Sequence, residues 1–192
     1  MFVRKIRAAA IASVLGTAAI MAWGMLFWGV LYAPVGVFQA NVVDSVIIDA
    51  LDVSGLETGT YLHPWPRDTV DAKEAWTAKH TEGPFFRLSY VREGVDPASP
   101  WKLAFGVLHN FVVAAMATGL ILLSGRGTFG SRFMLVGLAG LMGTVLIQIG
   151  DAVWFHMPLD YVLGAVLFQL VCWLLLAGIL AAYLTSTRLA GE

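Results

Sequence analysis

Two ionisable side chains fall within long apolar stretches of the sequence, and they are the first candidates for chemistry. His109 lies seven residues after Lys102, which is about 10 Å along a helix that rises about 1.5 Å per residue. Asp151 closes the next apolar stretch. Ionisable groups inside a membrane span are costly and therefore mark functional candidates. If the two stretches cross a bilayer in opposite directions, His109 and Asp151 lie at similar depth in the outer leaflet, where Asn110 and Gln148 can extend the polar cluster.

This polar cluster has three interpretations. The first is a contact between helices that fixes their register, as intramembrane polar side chains often do. The second is a metal or haem site that draws its ligands from His109, Asp151, His156 and His63, since histidine is the commonest metal ligand. The third is a proton relay or a catalytic acid–base pair. The sequence contains no CxxCH or HExxH motif, so separate elements would have to supply the ligands and the cofactor is left open.

The composition places the chain in a lipid bilayer. Of its 192 residues 58% are hydrophobic and 13% are charged, and the mean hydropathy is +0.76. Soluble domains have about 25% charged residues. A net charge of -1 without a basic patch excludes a nucleic-acid-binding domain. A single cysteine, Cys172, excludes a module built on internal disulfides.

Four uncharged stretches are each long enough to cross a membrane. A crossing helix needs about 20 apolar residues. The predicted spans are Ala8 to Tyr32, Leu103 to Ser124, Phe133 to Gly150 and Tyr161 to Thr187. The first span is a retained anchor, because its apolar part exceeds the roughly 7 to 15 residues of a signal peptide. The expected fold class is an all-α four-helix membrane bundle with a small α+β cap between helices 1 and 2.

The distribution of charge predicts the orientation of these spans. The basic residues on one side are Arg4, Lys5, Arg7, Arg126, Arg132 and Arg188, and the only acid with them is Glu192. Basic flanks normally stay in the cytoplasm. Both termini are therefore expected to be cytoplasmic. The expected segments are 1–34 with the first helix, 35–101 as a periplasmic or extracellular cap, and 102–192 with the other three helices.

The segment between the first two spans reads as a folded cap. It contains, in order, a predicted amphipathic helix over 42–51, a strand over 58–66, a helix over 71–80 and a strand over 85–92. The two strands are expected to pair, and Trp76 and Phe86 are expected to anchor a small core. The amphipathic helix carries acidic residues rather than Lys and Arg, so we expect it to pack on protein rather than on anionic lipid.

Several short motifs lie in the connections between the predicted spans. They are Gly59-Thr-Tyr61, Pro64 and Pro66, Glu74-Ala-Trp76, Gly83-Pro84 and the aromatic turn from Trp154 to Pro158. In these motifs the chain resembles an uncharacterised family of small bacterial inner-membrane proteins with four spans and a periplasmic loop domain. The resemblance covers most of the chain. It implies a bacterial origin and the four-span layout, and it implies no particular activity.

The function expected from these features is that of a non-enzymatic accessory or stabilising subunit of a bacterial inner-membrane complex. Its expected partners are the lipid bilayer and another membrane protein or a second copy of the chain, without nucleic acid. The alternative is a small metal- or haem-binding oxidoreductase that uses His109, Asp151, His156 and His63. A transporter ranks third, because no pair of broken helices marks an inverted repeat.

Overall fold

The chain folds into two compact units. The computed structural model describes residues 2–38, 44–65, 70–125 and 127–187. The bundle unit comprises Met1–Gln39 and Ala98–Glu192, and the cap unit comprises Ala40–Pro97. The cap unit lies within the segment 35–101.

In chain order the elements are α1 (Phe2–Leu26), a π-helical turn (Phe27–Leu31), α2 (Tyr32–Val35), α3 (Asp44–Ser54), β1 (Gly59–His63), α4 (Val70–Glu82), β2 (Phe86–Tyr90), α5 (Pro100–Leu123), α6 (Phe129–Thr144), a second π-helical turn (Val145–Ile149), α7 (Gly150–Phe155) and α8 (Leu159–Ser186).

Four helical stretches of the bundle unit are long and apolar enough to cross a membrane. They are Val3–Val35, Pro100–Leu123, Phe129–Phe155 and Leu159–Ser186. This confirms the four predicted spans, and the chain is a multi-pass membrane protein by the length and composition of its helices. Most of the helices begin a few residues before the uncharged stretches, because helical structure continues through polar flanks. At α6, for example, the Thr128 side chain accepts a hydrogen bond from the Ser131 amide at 3.2 Å and caps the helix before Arg132.

Small residues set the packing of the bundle. α1 packs against both α5 and α8, and α6 packs against α8. A Cβ added at Gly16 of α1 would overlap Leu176 of α8 and lie 3.2 Å from Ala114 of α5, so this glycine lets three helices approach closely. Gly140 of α6 lies in the same way against Trp173 of α8.

The two halves of α5 differ in burial. The second half contributes four buried residues to the bundle, Ala114, Ala117, Thr118 and Ile121. In the first half, from Trp101 to Val112, every side chain is exposed except Gly106 and Asn110, which are half-buried. The first half of α5 is therefore exposed on most of its surface.

The cap unit has the predicted strand, helix and strand. β1 and β2 pair antiparallel, from Gly59 opposite Tyr90 to His63 opposite Phe86. α4 ends at Gly83, whose φ of 73° suits glycine and whose amide donates to the Lys79 carbonyl at 2.9 Å. The amphipathic helix is α3, and residues 42–43 of the predicted range lie outside the described residues.

The core of the cap differs from the prediction at one position. The Trp76 indole N–H donates to the Pro64 carbonyl at 2.9 Å, and its ring lies 5.0 Å from that of His80. The Phe85 ring also lies 5.0 Å from the His80 ring. Phe86 is instead 45% exposed and stacks on His63. Because the chain turns at Gly83, Phe85 contacts the end of α4, whereas Phe86, the first residue of β2, does not fill that position.

Most of the described side chains of α3 are exposed. Its described side chains from Ser45 to Ala50 are all exposed, including Val46 and Ile48. The expected packing of this helix on protein is therefore not made among the described residues of the cap unit. Its exposed apolar side chains lie beside the carboxylates of Asp49 and Asp52.

Candidate functional site

A cavity of about 230 Å³ lies between α1, α5 and α8 in the bundle unit. Its polar lining consists of His109, Asn110, Gln169 and the Cys172 thiol. Its apolar lining consists of Ile20, Val113, Phe168, Trp173 and Leu176. Few polar groups within an apolar enclosure are the usual make-up of a binding site.

His109 and Asn110 enter this cavity from α5. The side chain of His109 is exposed and also lines the cavity, so it lies at the cavity mouth. The Asn110 amide donates to the Met21 sulfur of α1 at 2.9 Å, and this contact holds α5 to α1 at that depth. Gln169 lies ten residues into α8 and His109 nine residues into α5, so both are about 15 Å along helices that begin at the same end of the bundle.

Gln169 also contacts α6. The Thr144 hydroxyl donates to the Gly140 carbonyl at 2.8 Å and lies 3.3 Å from the side-chain oxygen of Gln169. Trp173, one turn further along α8, packs on Gly140. The helix pair α6–α8 therefore fixes the wall of the cavity that faces His109.

An aromatic cluster borders the cavity around Phe168. The Trp23 indole donates to the Phe168 carbonyl at 3.0 Å. The rings of Phe27 and Trp28 lie 5.1 and 5.3 Å from the Phe168 ring. Phe27 is fully buried and belongs to the π-helical turn of the first span. This cluster joins the first and last spans and orients the polar wall at Gln169.

The predicted polar cluster is distributed over more than one place. His109 and Asn110 share the cavity, whereas Gln148 and Asp151 are not among the residues that line it. Gln148 is buried, with 8% exposure, in the π-helical turn Val145–Ile149. Asp151 is half-buried in α7. A π-helical turn winds more widely than an α-helix, so it changes the face on which the following residues emerge.

The predicted metal ligands belong to two different units of the chain. His63 lies in the cap unit, where its ring stacks on Phe86 at 5.1 Å. His156 is exposed in the turn before α8, with a φ of 51°, and its backbone amide donates to the Asp151 carbonyl. The residues that the structure describes contain no group of three or more His, Cys, Asp or Glu side chains able to hold a metal ion.

Two polar residues of the bundle were missed by sequence reasoning. Gln169 could have been found, because it is the only amide in the apolar stretch from Tyr161 to Leu184. Arg132 gave no such signal, since it looks like an ordinary flanking cation. It is 1% exposed, and its guanidinium donates to the Thr185 hydroxyl at 2.9 Å. Thr185 thereby ties the beginning of α6 to the end of α8.

The polar groups of the lining can donate and accept hydrogen bonds. An imidazole and two amides offer donors and acceptors, and none of the described residues that line the cavity carries a carboxylate. Such a site can bind a polar group that belongs to an otherwise apolar molecule, for example a polar side chain of another membrane helix. No family model, curated protein or solved structure matches this chain.

Proposed function

We propose that the protein is a non-enzymatic accessory or stabilising subunit of a larger complex in a bacterial inner membrane. In this proposal both termini are cytoplasmic and the cap unit is periplasmic. The charges of the bundle support this orientation. Arg4, Arg7 and Arg132 lie at the end where α1 begins and α8 ends, and Asp151 and Asp160 belong to the opposite end.

The exposed first half of α5 is the observation that carries the subunit role. His109 lies on an exposed stretch of a membrane-spanning helix. A polar side chain at that depth is costly in contact with hydrocarbon alone. A hydrogen bond from a neighbouring helix lowers that cost. The exposed apolar residues Phe105 and Val112 lie one turn before and after His109 on the same face, and they offer packing surface on both sides of it.

The occupant of this face, in our proposal, is a transmembrane helix of a different membrane protein. That helix carries a hydrogen-bonding side chain opposite His109. A second copy of the chain fits less well, because a two-fold contact pairs each residue with its own counterpart or neighbours. Such a contact along α5 would bring two Lys102 side chains to the same level, where their charges repel.

Extraction of the native membrane in a mild detergent tests this proposal. We expect the wild-type protein in a heteromeric particle on native gels, and the His109→Leu variant largely released from it. Met142→Leu is the matched control, because Met142 is 72% exposed on α6 and lies outside the α5 face. A wild-type protein recovered only alone, or equal retention of both variants in the particle, contradicts the proposal.

A further inference from the structure

A second cavity, of about 330 Å³, lies between the beginning of α1 and the end of α8. Arg4 and Arg7 line it from α1, and Tyr183 lines it from α8. One wall is apolar and consists of Ala8 and Ile11, which continue along α1 into the span. The cavity thus combines cations at the end of the bundle with an apolar surface that leads into the membrane.

The described residues of the bundle unit supply no carboxylate near these two arginines. Both side chains are exposed, and Arg4 donates to the Thr187 carbonyl at 3.3 Å. The acidic residues of the bundle unit are Asp151, Asp160 and Glu192, and Glu192 lies outside the described residues. Asp160 precedes Thr187 by 27 residues, which places it about 40 Å away along α8. No carboxylate among the described residues of the bundle unit therefore lies at this end of the bundle.

The hydrogen-bond donors of this cavity favour an anionic ligand. Ser186 and Thr187 also line the cavity, but their hydroxyls donate to carbonyls of their own helix, at 2.7 and 3.1 Å. The guanidinium groups of Arg4 and Arg7 and the Tyr183 phenol are therefore the groups that can serve a ligand. Guanidinium binds phosphate oxygens in a bidentate manner.

We propose that this cavity binds a phosphate group, supplied by the headgroup of an anionic phospholipid. Basic pockets between membrane helices bind such headgroups. The apolar wall at Ala8 and Ile11 gives the acyl chains a path along α1. A soluble phosphate ester would share the headgroup chemistry but would not use that wall. The site is independent of the subunit role, because it lies at the end of the bundle remote from His109.

Native mass spectrometry of the detergent-solubilised full chain tests this site. Phosphatidylglycerol and the zwitterionic phosphatidylcholine are titrated separately, and inorganic phosphate is then added as a competitor. We expect selective binding of phosphatidylglycerol that falls about fivefold in Arg4→Gln or Arg7→Gln and about thirtyfold in the double variant. The matched control is Lys5→Gln, which removes an equal charge from a neighbouring residue outside the cavity lining.

The outcomes separate a site from general surface attraction. A change of less than about twofold in Lys5→Gln supports the site, since diffuse attraction treats neighbouring cations alike. Equal losses in all three single variants overturn it, as does the same affinity for both lipids. Displacement of phosphatidylglycerol by millimolar inorganic phosphate keeps the phosphate site but assigns it to a soluble ligand. Retention of the lipid under that competition assigns the site to a headgroup. Unchanged thermal stability of the variants shows that the losses are not due to unfolding.

Discussion

Trp173 of α8 packs directly on Gly140 of α6, and a Cβ at position 140 would overlap the indole ring and its Cβ. This packing contact lies one helical turn from the polar contact between Thr144 and Gln169. The closeness of α6 and α8 therefore depends on the missing side chain at Gly140, and the wall of the cavity opposite His109 depends on that closeness.

Gly140→Ala should destabilise the bundle. The overlapping atoms belong to a rigid ring near its backbone, so the helices must separate, and overpacking of this kind costs about 1 to 3 kcal/mol. Gly143→Ala is the matched control, because nothing lies within 4 Å of a Cβ added there. Helix propensity favours alanine over glycine by up to about 1 kcal/mol, so the control should be neutral or slightly stabilising. Thermal unfolding in detergent measures both, and equal melting temperatures would contradict the packing described.

The cap should depend on Trp76 more than on Phe86. Trp76→Phe removes the hydrogen bond to the Pro64 carbonyl, at a cost of about 1 kcal/mol. Trp76→Ala also removes the contact with His80, and should cost about 2 kcal/mol, below the range for a fully buried tryptophan. Limited proteolysis of the full chain measures the effect as faster cleavage within the cap. Phe86→Ala serves as the control, since that ring is 45% exposed. Faster cleavage in Phe86→Ala than in Trp76→Ala would contradict the conclusion that Trp76 anchors the core of the cap.

Glu93 supplies a pH-dependent contact at the end of the two-stranded sheet. The Thr58 hydroxyl donates to its carboxylate at 2.7 Å, and this hydrogen bond holds the pKa of Glu93 below its ordinary value of 4.5. At pH values above the ordinary pKa of 4.5, a carboxyl group with a lowered pKa stabilises the fold. This stabilisation is lost as the pH falls through the lowered pKa. Thr58→Val should raise the pKa of Glu93 in a carboxyl NMR titration. Thr60→Val, at an exposed position of β1, should leave it unchanged; an equal rise in both variants would rule out the Thr58 contact as the cause.

The proposed topology has a direct chemical test. In a Cys172→Ala background the chain has no other cysteine, so a single reporter can be placed at will. Glu74→Cys in the cap should react with a membrane-impermeant maleimide added to intact cells. Gly127→Cys, in the connection between α5 and α6, should react only after the membrane is permeabilised. Labelling of both positions in intact cells would overturn the orientation.

The spans and the elements of the cap could be predicted from the sequence because their signals are local. A run of about 20 apolar residues is sufficient to mark a crossing helix. The alternation of side chains around Tyr61 and Leu88 marks two strands. Each of these patterns depends on neighbouring residues, so no knowledge of the three-dimensional packing is needed to read it.

The candidate site could be predicted only in part, because it depends on how helices are rotated. The sequence gives the number of residues between Lys102 and His109, and this number determines the depth of His109 along the span. The π-helical turn before Asp151 has no hydropathy signal, and it changes the face on which Asp151 emerges. Gln169 stands out in the sequence as the only amide of its apolar stretch, but the sequence does not show that it shares a cavity with His109. The burial of Arg132 depends likewise on the distant Thr185.

Site-specific photo-crosslinking from α5 tests the central claim most directly. A photoreactive phenylalanine analogue replaces Phe105, which is 66% exposed and lies one turn before His109 on the same face. A second variant carries the analogue at Met142, on the exposed surface of α6. After irradiation of intact membranes, the subunit account predicts a discrete adduct with a different membrane protein from position 105 that is lost in the His109→Leu background, and no such adduct from position 142. Adducts only with a second copy of the chain, or equal adducts from both positions, would contradict it.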